Sequence, residues 1–140
     1  MNEIVIDASI AVKWLCREVL TDGARDLLKA PESLVAPDWI LVEAASSFWK
    51  KVKKSELLEV HASRHLETLP RFFTTLYPAA DLVEEAFGLA FRLRHPVYDC
   101  LYLALAMREG SRLVTADERF FAAIEGKAAY EKAELLQAAV

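Results

Sequence analysis

The sequence predicts an α/β sandwich with a mainly parallel central sheet. Short uncharged runs rich in Val, Ile, Leu and Thr alternate with longer helix-like segments along the chain, the pattern of successive strand–helix–strand units. The 140 residues are 54% hydrophobic and 27% charged. With no repeat, linker or low-complexity tract, they suit one globular domain over 1–140.

Each element has its local reason. "EIVI" (3–6) reads as a buried strand, and "SIAVKWLC" (9–16) as a helix with Ser9 as its N-cap. "TDGARDLLKA" (21–30) has the spacing of an amphipathic helix, and "LVA" (34–36) that of a short strand. Pro37-Asp38 is expected to open a helix through Lys54, and Ser55 to cap another that Pro70 ends. "FFTTLY" (72–77) is β-rich, and Asp81 with Glu84 has the spacing of a capping box for a helix to about Arg94. "DCLYLALAMRE" (99–109) is a strongly apolar helix closed by Gly110. "RLVT" (112–115) is a strand, "DERFFAAIE" (117–125) a helix, and "AELLQ" (133–137) a short strand or helix.

Composition excludes several classes. No uncharged run approaches the length of a membrane helix, and Glu3, Asp7 and Lys13 interrupt the apolar N-terminus that a signal peptide needs. A soluble cytoplasmic protein is the expectation. Cys16 and Cys100 form no CxxC and have no His set, so they read as reduced, buried small hydrophobes. Four glycines make no phosphate-cradling loop, which excludes dinucleotide binding. A receiver domain needs an adjacent acidic pair and a late-strand lysine, and a haloacid-dehalogenase-type phosphatase needs D-x-D where this chain has D-A-S.

In α/β folds, sites lie beyond the carboxyl ends of the strands, where strand order reverses. Asp7 follows the first strand directly and Asp117 comes just after the later one. Asp99 begins the apolar helix, and Glu43 lies in the second turn of the helix after "LVAP". Each acid also has a plainer reading. Asp7 suits a turn, Asp99 and Asp117 suit N-caps, and Glu43 heads a polar stripe with Ser47, Lys50 and Lys54 opposite Leu41, Ala44, Ala45, Phe48 and Val52. Gathered in one crevice, four carboxylates repel one another unless a hard cation joins them. Mg²⁺ or Mn²⁺ on such a set suits phosphodiester hydrolysis.

"VIDASIAVKW", "LVEAASSFWKKV", "HPVYDCLYLALA" and "LVTADERF", in that order, resemble the acidic motifs of PIN-domain ribonucleases, most closely the VapC-type toxins of toxin–antitoxin pairs. The resemblance runs from Asp7 to about Phe121. It implies a compact three-layer α/β/α domain that cuts single-stranded or looped RNA with Mg²⁺ or Mn²⁺. It also implies Asp7 and Asp99 as principal metal ligands, Glu43 and Asp117 completing the acidic quartet, and Ser9 and Thr115 as supporting hydroxyls. Ser46 stands where relatives often carry Asn. The partners implied are a VapB-type antitoxin, whose tail packs across apolar helices near Trp14 and the 21–30 segment, and a second copy of the chain. A non-catalytic RNA- or protein-interaction module is the other reading; the presence of all four acids counts against it.

The charge fits this picture. The chain has 21 acidic and 17 basic residues, so setting aside the four acids leaves 17 against 17. Lys50, Lys51 and Lys54, with Lys53, form the best phosphate-facing patch, or else an ordinary solvated helix end. Arg92, Arg94 and His95 form a weaker patch. His61 and His65 have helical i, i+4 spacing with no third ligand in view, which favours a surface face. The three tryptophans read as core or interface anchors.

Overall fold

A computed structural model describes residues 2–137. Five parallel strands, β1 (Glu3–Ile6), β2 (Ser33–Pro37), β3 (Thr75–Tyr77), β4 (Arg112–Thr115) and β5 (Ala133–Leu135), form one sheet in the order β3-β2-β1-β4-β5. The chain builds outward from β1 in one direction through β2 and β3, then crosses back to build β4 and β5 on its other side. The order therefore reverses between β1 and β4. Ile4, Val5 and Ile6 are wholly buried, as a central parallel strand covered on both faces must be.

The helices are α1 (Ala8–Leu15), α2 (Thr21–Asp26), α3 (Ile40–Lys53), α4 (Glu59–Thr68), α5 (Val83–Leu93), α6 (Val97–Glu109) and α7 (Glu118–Ala123). α1 packs with α2 and α3, and α3 with α4; α5 packs on α6 and on the turn after α7. Right-handed crossovers put these two groups on opposite faces of the sheet, giving the expected three layers. Cys100 to Ala106 are all buried, so α6 is apolar all round because it lies between the sheet and α5. No helix among the described residues is long and apolar enough to cross a membrane.

Several local expectations are corrected. Asp7, not Ser9, caps α1, its carboxylate accepting from Ile10 N. Pro37 ends β2 instead of opening α3, with its missing N–H at the strand's last position. Ser55 lies in the left-handed region at φ 61° and α4 starts only at Glu59. Pro70 sits inside a 3₁₀ turn (Leu69–Phe72), where its fixed φ is at home. The capping box fails because Asp81 is consumed by a 3₁₀ turn (Ala79–Asp81), leaving Leu82 to precede α5 without a side-chain cap. The 21–30 helix tightens to a 3₁₀ turn at Leu27–Lys29, and the 117–125 helix relaxes into a π turn at Ile124. Gly110 closes α6 at φ 66°, the left-handed residue expected there.

Candidate acidic site

The point where strand order reverses is occupied by Asp7 and the 115–117 loop. The register pairs Ile6 with Val114, so Asp7 leaves β1 beside Thr115 as it leaves β4. Ser9 donates to Asp7 Oδ1 at 2.6 Å and accepts from Ala116 N at 2.9 Å. Thr115 donates to Asp7 Oδ2 and accepts from Asp117 N at 3.0 Å. Two hydroxyls thus tie both oxygens of one carboxylate to the neighbouring strand's exit loop. Asp117 caps α7 through Oδ1 alone, which accepts from Arg119 N and Phe120 N. Its other oxygen stays clear of the cap.

The remaining acids come from helices. α6 starts at Val97 after Pro96, so Asp99 lies inside the first turn and is not a cap. His95, one turn earlier, holds Asp99 Oδ2 at 2.6 Å and stacks on Phe120. Tyr102, one turn further on and fully buried, donates to Glu43 Oε1 of α3 at 2.8 Å. Asp7, Glu43, Asp99 and Asp117 all line one cavity of about 330 Å³. Ser9, Lys13, Glu18, Ser47 and Lys51 share its wall.

Burial dominates the electrostatics. Asp7 is only 3% exposed; burial, with repulsion from Asp99, pushes its carboxyl up to about 7 against the hydrogen bonds from Ser9, Thr115 and Ile10 N. Burial also raises Glu43, with Asp99 adding to it and the Tyr102 hydroxyl opposing it. Asp99 rises by burial and by the nearness of Asp117, although His95 pulls it down. The set is short of positive charge.

Residues 4–127 match the PIN domain family. Ribonuclease VapC3 of Pyrobaculum aerophilum is 32% identical over 119 residues, spanning 84% of this chain and 91% of that protein. The chain belongs to the PIN-domain family. The crystal structure of a Pyrobaculum aerophilum protein, PAE2754, superposes with a TM-score of 0.70 at 25% identity, covering 90% of this chain and 89% of that one. The structure of Mycobacterium tuberculosis VapC20, described as a toxin that cleaves the sarcin–ricin loop, shares the fold at a TM-score of 0.68 and 18% identity, covering 89% and 95%.

In this PIN domain the lysines divide differently from the sequence reading. Lys51, not Lys50 or Lys54, reaches the acidic cavity, held at 2.8 Å by Glu18. Burial raises the Glu18 carboxyl, but hydrogen bonds and charge from Lys51 and Lys13 outweigh it and hold it below the usual range. Lys50 lines an adjoining cavity with Trp39, Val42, Glu43, Ser46, Ser47 and Tyr98, while Lys54 is exposed. Glu43 and Ser47 form the wall between the two cavities. The rings of Trp39 and Tyr98 stack at 5.4 Å beside it.

Other residues singled out from the sequence lie elsewhere. His65 packs against Phe48 and His61 is exposed on α4. Trp14 is buried, its indole donating to Ala24 O at 2.8 Å between Phe72 and Phe73. It is a core anchor and offers no outer surface to a partner. Trp49 is exposed with Lys53 over its ring, while Trp39 packs half-buried against the core. Sequence reasoning missed His95 as the partner of Asp99, Tyr102 as the partner of Glu43, and the Lys13–Glu18–Lys51 cluster. The first had a legible signal, since His95 and Asp99 stand four apart.

Proposed function

We propose that this chain is a divalent-metal-dependent endoribonuclease of VapC type, acting as the toxin of a VapBC-type pair. The observation that carries the reading is the convergence of Asp7, Glu43, Asp99 and Asp117, from four separate stretches of a PIN-family chain, on one cavity where the strand order reverses. The name of the relative VapC3, a ribonuclease, supports the substrate.

The donor set fits a hard cation. It is all oxygen, and the burial that raises Asp7, Glu43 and Asp99, with their mutual repulsion added, is a cost that a divalent ion would offset. Among the described residues no three acids, imidazoles or thiols are drawn up as a ready cage, so an ion held here would keep much of its own water. Asp7 and Asp99, with Glu43 and Asp117, would hold it, and it would supply Lewis acidity for a water nucleophile and for the charge on the departing 3′-oxygen. Ser9 and Thr115 fix the plane of Asp7, His95 fixes Asp99, and Tyr102 fixes Glu43. The aligned carboxylates need no reorganisation as the reaction proceeds. Lys50 and Lys54 would meet the RNA backbone outside the cavity, and Lys51 at its wall. A VapB-type antitoxin and a second copy of the chain complete the assembly, and the whole chain works as one nuclease domain.

The test compares wild type with Asp7→Asn and Asp99→Asn on cellular RNA, with Mn²⁺ and with chelator. Wild type with Mn²⁺ should cut, and both variants should lose roughly a thousandfold in rate. Cleavage that survives chelation or both substitutions overturns the mechanism. Coexpression of a short neighbouring reading frame should relieve growth arrest if the toxin role holds.

A further inference from the structure

The cavity that gathers the acids has a second, oppositely charged wall. Lys13 of α1 and Lys51 of α3 approach the same carboxylate, Glu18, at 3.1 Å on Oε1 and 2.8 Å on Oε2. Their side chains are only 13% and 21% exposed, unlike ordinary surface lysines, and all three residues line the cavity with the four acids. Glu18 sits on a pinned loop. Its backbone N–H donates to Thr21 Oγ1 at 2.8 Å, and the same buried hydroxyl donates to Cys16 O. Glu56 lies 3.9 Å from Lys51, on the outer side of α3's end.

We infer that Lys13 and Lys51, held by Glu18, form a clamp for the RNA phosphate next to the one being cut. The inference rests on the nuclease reading above and adds where the backbone runs through the cavity. Each ammonium has three N–H donors, and Glu18 uses one on each, leaving donors for a second anion. The charge also matches. Within hydrogen-bond reach, Lys13, Lys51 and Glu18 carry a net single positive charge for one phosphodiester, while the half-exposed Glu56, 3.9 Å from Lys51, lies beyond that reach. Without such a clamp the strand would face only carboxylates, which repel its backbone. Buried stems and a shared carboxylate fix the two ammoniums in advance, so little side-chain order has to be won on binding. Glu18 is therefore a positioning residue and the lysines are the contacts.

The experiment measures binding of a fluorescein-labelled single-stranded RNA of about twelve nucleotides to full-length protein with Asp7→Asn, which stops turnover, at fixed low Mn²⁺ across a salt series. Lys13→Met and Lys51→Met should each weaken binding roughly tenfold. Each should also flatten the dependence of log affinity on log salt by about 0.7, the value for one lost phosphate contact on a single strand. Lys13→Arg and Lys51→Arg should restore the slope. Lys29→Met, near the opposite edge of the sheet, should leave it unchanged. On the active protein the lysine variants should raise KM more than they lower kcat. Glu18→Gln should lower kcat/KM even though it makes the cavity more positive, because the lysines lose the group that aims them. Unchanged slopes, or faster cleavage by Glu18→Gln, overturn the clamp. A lowered melting temperature with an unchanged slope assigns the trio to stability and also overturns it. If wild type neither binds nor cuts RNA, the nuclease reading falls and the clamp falls with it; if it does both and only the variants behave like wild type, the clamp alone is wrong.

Discussion

The two edges of the sheet both carry acids, yet they are built on opposite plans. At the amino edge a cavity of about 440 Å³ is lined by Glu3, Glu32, Glu109, Arg112 and Lys132, among others. There Arg112 takes Glu134 through two bonds, of 2.6 and 3.1 Å, and also reaches Glu32. Lys132 donates to Gly110 O, closing the end of α6. The Arg112 guanidinium beside Glu32 holds that carboxyl below its ordinary range. At the carboxyl edge the smaller cavity shows the reverse, with Asp7 and Glu43 held by hydroxyls and pushed upward by burial. Acids line both cavities, and the larger cavity is the one whose acids are paired. What separates them is whether the fold supplies the countercharge. At the amino edge Arg112 answers Glu32 and Glu134 directly. At the carboxyl edge the lysines are spent on Glu18 and leave Asp7 and Glu43 to hydroxyls, the gap that the proposed divalent ion would fill.

That contrast can be broken in four places, and the largest effect belongs to Glu43. Glu43→Gln should cut cleavage about a hundredfold, equivalent to ~2.7 kcal/mol of barrier, while in chelator the protein melts at or above the wild-type temperature. The sign follows from the raised pKa: burial opposes the charged form that Gln removes, and the amide oxygen still accepts from Tyr102. A melt lowered by several degrees makes Glu43 structural. Next, Mn²⁺ at about a hundred times its Kd should stabilise wild type by ~2.7 kcal/mol, a rise of roughly 5–10 °C by differential scanning fluorimetry. The rise should vanish in Asp99→Asn and persist in Glu32→Gln; the opposite pattern would move the ion to the wrong edge.

Arg112→Met gives the converse result. It should lower the melting temperature by about 2–4 °C, the scale of partly exposed ion pairs, and leave the cleavage rate within about twofold of wild type. Loss of cleavage without loss of stability would mean that the amino edge takes part in the reaction. Smallest is Tyr102→Phe, which deletes one hydrogen bond worth about 1 kcal/mol. It should reduce kcat about fivefold and lower Mn²⁺ affinity without a matching change in the chelator melt.

The strands and the acids were legible because each obeys a local rule. "EIVI" and "RLVT" are the observed strands residue for residue, and parallel topology then sends the residues after them to one edge. The failures came where a local rule met a competing geometry. Asp81 has capping-box spacing but spends its position in a 3₁₀ turn, and Ser9 lost the cap of α1 to Asp7, which frees its hydroxyl to donate to Asp7. The wheel placed Glu43 and Ser47 on one stripe, and both do line the cavity, but it continued that stripe to Lys50 and Lys54. Of the named lysines it is Lys51, one turn after Ser47, that lines the cavity, and its partner Glu18 lies 33 positions earlier. No spacing rule reaches that far, and the bond from Tyr102 to Glu43 across 59 positions is hidden in the same way.

The hydroxyl of Thr115 and the carboxylate of Asp7 stand 108 positions apart. Chains emerge from the ribosome amino end first, so Asp7, Glu43 and Asp99 are all made before the loop that orders Asp7. A nascent chain therefore carries three of the four acids before the loop that completes their cavity has been made. The cavity is whole only once β4 lies beside β1, so the step that closes the sheet is also the step that orders Asp7.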